Sequence, residues 1–149
     1  MAIELKKILI VEDNANDLEL TLEALAEYHL VNSAEIVRDG AEALDYLYRR
    51  GKFLERSQIH PAVILLDLKL PKVDGLEVLR HIKADASLKF IPVVMLTSSR
   101  EERDLIESYH FGANAYVVKP VNFHEFIEAI KGLGVFWAII NNPPPGCVK

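Results

Sequence analysis

The stretch Val63-Ile64-Leu65-Leu66-Asp67-Leu68-Lys69-Leu70-Pro71-Lys72-Val73-Asp74-Gly75 decides how the chain is read. From Ala62 to Leu66 the residues are apolar without alternation, the mark of a strand buried on both faces. The run stops at the carboxylate of Asp67. Pro71 to Gly75 is turn chemistry, and Leu76, Leu79 and Ile82 then recur at helical spacing. The unit is a strand, a polar stop, a turn and an amphipathic helix.

The same unit recurs on both sides. Lys7 to Val11 is a short apolar run that ends at Glu12-Asp13, and from Asn14, a capping residue, Leu18, Leu22, Leu25 and Ala26 form a helical face. Ala34 to Arg38 fits a short strand, with Asp39-Gly40 turning into a helix over 41–50 that carries Ala43, Leu44 and Leu47. Downstream, Pro92 opens the run Val93 to Thr97. Ser99 and Glu102 have capping-box spacing for a helix ending near Gly112. Ala115 to Val118 ends at Lys119-Pro120; Asn122 and Glu125 again have that spacing, ahead of Phe126, Ile127, Ile130, Leu133 and Trp137. Five strands alternating with five helices predict an α/β, doubly wound parallel sheet covered on both sides. After about residue 140 the Pro-rich tail, 141–149, cannot continue a helix and is expected to be extended, leaving 1–140 as one domain.

Composition narrows the function. Of 149 residues 50% are apolar and 26% charged, enough for a core and a soluble surface. The net charge of −5, with no long basic run beyond Tyr48 to Lys52, argues against direct nucleic-acid binding. No apolar stretch approaches a membrane span and no secretory signal is seen, so a cytoplasmic protein is expected. The single cysteine, Cys147, excludes an internal disulfide and a Cys-based zinc site, and none of the five histidines stands at ligand spacing from another.

Function is sought where the polar residues fall. In an open parallel sheet, ligands bind outside the carboxyl ends of the strands. Glu12-Asp13, Asp67, Thr97 and Lys119 end the first, third, fourth and fifth predicted strands and are expected to converge on one edge. Three carboxylates at one edge repel unless a cation joins them, and Mg²⁺, hard and oxygen-seeking, suits such a set. A carboxylate can also accept a phosphoryl group, and Asp67, held between a buried strand and a turn, is the candidate. Lys119 offers positive charge and Thr97 a hydroxyl for the transferring oxygens.

Glu12-Asp13, Asp67, the Pro71 to Gly75 turn, Thr97 and Lys119-Pro120 together resemble the receiver domains of two-component response regulators, over roughly Lys7 to Leu133. The resemblance implies a flavodoxin-like (βα)5 three-layer sandwich with strand order 2-1-3-4-5. It implies that Asp67 is phosphorylated from the phosphohistidine of a sensor histidine kinase. Asp13, Asp67 and the backbone carbonyl of Lys69 would bind Mg²⁺, with Mn²⁺ or Ca²⁺ able to take its place and Glu12 acting through a water. Lys119 would pair with the phosphoryl group, and Lys119-Pro120 would be cis. Thr97 and Tyr116 would be the switch pair beneath a surface made by the fourth predicted helix and the fifth strand.

Two features depart from the simplest pattern. The interval from Asp13 to Asp67 is long, with the excess at Arg50 to His60, where an extended loop or longer second helix is expected. Lys69 adds a cation near the acceptor, at the position where aspartyl-phosphate phosphohydrolases carry an acid, which argues against turnover of small substrates. Phe123, Phe126, Phe136 and Trp137 load the last helix with aromatics; Phe136 and Trp137 are expected to support a homodimer. The long loop and this extension resemble the single-domain phytochrome-associated regulators of cyanobacteria, so the expected partners are a phytochrome kinase, a second copy and a downstream protein. A scaffold or phosphate sink and a phosphohydrolase are the rival readings; a flavin or dinucleotide binder is disfavoured because no Gly-x-Gly-x-x-Gly turn follows Val11. With no further sequence after Lys149, output is expected through a partner rather than by catalysis.

Overall fold

The computed structural model describes residues 7–27, 34–56, 59–97 and 110–132. In chain order these form β1 (Ile8–Val11), α1 (Ala15–Ala26), β2 (Ala34–Val37), α2 (Gly40–Tyr48), β3 (Val63–Asp67), α3 (Gly75–Ala84), β4 (Val93–Thr97), β5 (Ala115–Val118) and α4 (Phe123–Gly132). The strands make one all-parallel sheet in the order β2-β1-β3-β4-β5, the flavodoxin-like arrangement. The helix expected before Gly112, the aromatic pair Phe136-Trp137 and the Pro-rich tail lie outside the described residues.

Continuous apolar runs work here because both sheet faces are covered. Leu9 and Val11 of β1, Ile64 and Leu66 of β3, and Val93 and Met95 of β4 face a core shared with α2 and α3. Their neighbours Ile8, Ile10, Val63, Leu65, Val94 and Leu96 face the opposite core, under α1 and α4. Successive side chains point to opposite faces, so both must be apolar.

Local chemistry sets the helix starts. Asn14 Oδ1 accepts the Asp17 N–H (2.9 Å), Asp39 Oδ1 the Glu42 N–H (2.7 Å) and Asn122 Oδ1 the Glu125 N–H (2.8 Å). α2 ends two residues earlier than its apolar pattern suggests, because Arg49 takes a left-handed conformation (φ 53°) and its N–H returns to Asp45 O and Tyr46 O. The described residues of the long α2–β3 connection form a loop with a 3₁₀ turn at Gly51–Phe53. Arg56 fastens it to α2. Its guanidinium lies 4.3 Å from the Tyr46 ring centre, and its Nε donates to Tyr46 O at 2.6 Å.

Candidate functional site

Register, more than any single residue, assembles the site. Val11 pairs with Leu66, so the next residues, Glu12 and Asp67, leave adjacent strands side by side. Asp67 pairs with Leu96, and Thr97 with Val118, which places Thr97 and Lys119 at the same edge. Backbone bonds carry the ladder past the strand ends: Glu12 N–H to Val37 O at 3.1 Å, Leu68 N–H to Leu96 O at 2.9 Å, and Lys119 N–H to Thr97 O at 2.7 Å. β1 and β3 flank the point where strand order reverses, where open α/β sheets place their ligands.

Buried charge dominates this edge. Glu12, Asp67 and Thr97 are 0%, 5% and 2% exposed, while Asp13 faces solvent. Glu12, Asp13 and Asp67 each bring a carboxylate oxygen within 4.8 Å of the others. The Lys119 ammonium reaches Glu12 Oε1 at 3.1 Å, Asp67 Oδ2 at 3.1 Å and Asp17 Oδ2 at 2.8 Å. The second Glu12 oxygen accepts the Asn14 N–H at 3.2 Å.

The titration of these groups follows from their surroundings. Burial pushes the Glu12 carboxyl up to about 7; Asp67, as hydrogen-bond partner and as neighbouring charge, pushes the same way, against the Asn14 N–H and Lys119. Burial also works against the charge on Lys119, but the hydrogen bond to Asp17 and the charges of Asp67 and Glu12 outweigh it and hold the ammonium above its ordinary range. Near neutral pH the site therefore keeps its cation firmly and one of its protons loosely.

The loop from Asp67 to Gly75 is seated by two glycines. A Cβ on Gly75 would lie 2.1 Å from Asp67 O and 2.5 Å from Leu68 O, and the Gly75 N–H donates to Leu68 O at 3.1 Å. A Cβ on Gly40 would lie 1.8 Å from Val73 O, and its N–H donates to Pro71 O at 3.2 Å. Any side chain at either position would displace the backbone that carries Asp67 and Lys69. Lys72 crosses the turn in a left-handed conformation (φ 67°), with its ammonium 3.6 Å from Asp39 Oδ2.

The structure thus gathers Glu12, Asp13, Asp67, Thr97 and Lys119 at one edge. The Lys69 side chain is exposed, and the Lys119–Pro120 peptide is cis. Tyr116 is half-buried against the core on the α2 and α3 face, two register positions below Thr97 on the neighbouring strand, where it pairs with Met95. Asp17, in the first turn of α1, joins this site through the Lys119 ammonium and is not among the residues expected there from the sequence.

Residues 8–131 match the response regulator receiver domain. The chain belongs to this family. Among relatives of known structure, bacteriophytochrome response regulator RtBRR is 61% identical, with a TM-score of 0.84 over 96% of this chain and 86% of that one. The phosphorylated cyanobacterial phytochrome response regulator RcpA is 45% identical, with a TM-score of 0.74 over 90% and 94%. Response regulator Rcp1 of Synechocystis sp. is 41% identical over 132 residues, 89% of this chain and 88% of Rcp1. A Mn²⁺-bound form of Rcp1 has been solved, with a TM-score of 0.72 over 89% of this chain and 94% of that one. This receiver domain is therefore related to phytochrome-associated response regulators, and its acidic cluster fits a divalent metal. Among the described residues, no helix is long and apolar enough to cross a membrane.

Proposed function

We propose that this receiver domain accepts a phosphoryl group on Asp67 from the phosphohistidine of a sensor histidine kinase, a phytochrome, in a Mg²⁺-dependent reaction, and signals by a change of surface. The observation that carries the reading is the Lys119 ammonium held 3.1 Å from Asp67 Oδ2 beside two further carboxylates of the metal-sized cluster. An acceptor that must be both anionic and approachable by an anion needs fixed positive charge next to it.

The roles follow from position. An oxygen of Asp67 forms the new P–O bond as the P–N bond to the donor imidazole breaks, and the imidazole keeps the electron pair and takes up a proton. Asp13, Asp67 and the carbonyl of Lys69 would hold Mg²⁺, with Glu12 one water further away; Mn²⁺ or Ca²⁺ would suit the same oxygens. When bound there, the ion supplies charge to neutralise the transferring oxygens. Lys119 pairs with a phosphoryl oxygen, and Thr97, at the end of the neighbouring strand, donates its hydroxyl to another. Tyr116 follows Thr97 inward and alters the face of β5 and the fourth predicted helix, which lies outside the described residues. Support for the kinase class comes from relatives that are themselves phytochrome response regulators, one of them solved phosphorylated. A homodimer through Phe136 and Trp137 belongs to the same reading and rests on the aromatic load of those two residues.

Intact mass tests the acceptor. After incubation with a small phosphoryl donor, the parent should gain one phosphoryl group with Mg²⁺ and none without it, and Asp67→Asn should gain none in either case. A parent that stays unmodified while binding Mg²⁺ would overturn the reading in favour of a scaffold.

A further inference from the structure

An ammonium has three N–H donors, and on Lys119 all three meet carboxylates: Glu12 at 3.1 Å, Asp17 at 2.8 Å and Asp67 at 3.1 Å. The lysine that is to receive a phosphoryl oxygen is already saturated. The three partners differ in what their release would leave behind. The Glu12 side chain is 0% exposed, so losing its cation strands a charge in the interior. Asp67 is the acceptor itself. The Asp17 side chain is 32% exposed, so water can replace the ammonium there.

We infer that Asp17 is a positioning residue that competes with the phosphoryl group for Lys119, and that its pair with Lys119 opens as Asp67 is phosphorylated. The inference rests on the proposed acceptor role of Asp67. Charge points the same way as geometry. Glu12, Asp17 and Asp67 already share the Lys119 ammonium, with Asp13 in the same carboxylate cluster, and the phosphoryl group brings a further charge of about −1.5 to −2. A carboxylate bound to the same ammonium opposes the incoming anion twice, by occupying a donor and by repulsion. Asp17 thereby sets how readily the domain takes up its signal without touching the transferring group.

The role of Asp17 is separable from its place in α1. Its backbone N–H is capped by Asn14 Oδ1 and its carbonyl accepts the Thr21 hydroxyl at 3.0 Å, and neither bond uses the Asp17 side chain. Asp17→Asn therefore removes the charge and keeps the helix, whereas Asp17→Glu keeps the charge. The experiment is the time course of phosphoryl incorporation from a small acyl phosphate, by intact mass, at saturating Mg²⁺ and over a range of donor concentrations. In this reaction the donor's P–O bond breaks and its carboxylate leaves.

Asp17→Asn should be phosphorylated roughly two- to fivefold faster than the parent, the range spanned by a partly exposed ion pair. The gain should appear in the rate at saturating donor, and Asp17→Glu should return to the parent rate. Equal rates in the parent and Asp17→Asn, or a slower Asp17→Asn, would overturn the competitor role alone. A parent that gains no phosphoryl group on Asp67 would overturn the acceptor reading, and the competitor role with it.

Discussion

Lys83 and Lys119 are both drawn into the protein, one at each end of the sheet, and they meet opposite chemistry. At the amino-terminal edge the Lys83 ammonium donates to Lys89 O at 3.2 Å, Ile91 O at 3.3 Å and Asn114 Oδ1 at 3.0 Å. At the carboxyl-terminal edge Lys119 donates to three carboxylates. Burial pulls Lys83 below its ordinary value, because neutral dipoles do not offset the lost hydration; Lys119 is raised in spite of burial, because three anions do. The first lysine is a staple that ties α3 to the entries of β4 and β5, and Asn114 Oδ1 completes it by also accepting the Val93 N–H at 2.9 Å. The second is a fixed charge shared among three carboxylates.

The largest expected effect is that of Lys119→Met. Removing the cation leaves Glu12 and Asp67 buried without a counter-charge, so cation-free protein at neutral pH should lose about 3 kcal/mol in urea unfolding. Phosphoryl incorporation should fall by roughly 10²-fold. A value raised on folding means that this stabilisation is complete below 10.5 and disappears as pH climbs through the higher folded value. If Lys119→Met were as stable as the parent, the two lysines would not differ as their surroundings say.

Lys83→Met keeps the stem and removes the staple's donors. It should cost about 1–2 kcal/mol, through oxygens left without their partner, and leave phosphorylation unchanged. The alkaline behaviour sharpens the contrast. With a folded value below 10.5, the unfolded chain holds the Lys83 proton more tightly in that window, so the contribution of Lys83 to stability rises with pH there. The rise should vanish in Lys83→Met. Relative to the parent, the two methionine variants should therefore tilt alkaline stability in opposite directions, which paired unfolding series at successive pH values would show.

That contrast also marks how far the sequence could be read. Strand runs such as Val63 to Leu66 were legible because the central strands of a sheet buried on both sides are apolar throughout, so a polar stop such as Asp67 marked the strand end. Parallel register then brought those ends together without further information. Asp17 was not legible, because an acid on the polar side of an amphipathic helix has the same sequence signature whether water or a lysine 102 positions away receives it. Arg49 adopts left-handed backbone where glycine would have signalled the turn, so the end of α2 gave little sign of itself. The loop after α2 has no period. What organises it is Arg56 folding back on Tyr46, a contact that only the completed chain can form.

The smallest expected effect separates the two ends by a proton rather than by an ion pair. Glu12 is raised from 4.5 to about 7, by burial before all else, so the native protein holds a proton there that the unfolded chain has released. Between those values the contribution of Glu12 lowers stability as pH rises, and the penalty is complete above the folded value. A divalent cation drawn to Asp13 and Asp67 favours the ionised form of Glu12 and should expel that proton. At pH 7 the parent should release a fraction of one proton on binding Mg²⁺, read from titration calorimetry in two buffers of different ionisation enthalpy. Glu12→Gln should release none, and the acid-to-neutral slope in its stability should flatten. Proton release equal in both would place the titrating group elsewhere, and no release in either would mean that Lys119 alone keeps Glu12 ionised. In that case the carboxyl-terminal edge would be as fully compensated as the staple at the opposite end.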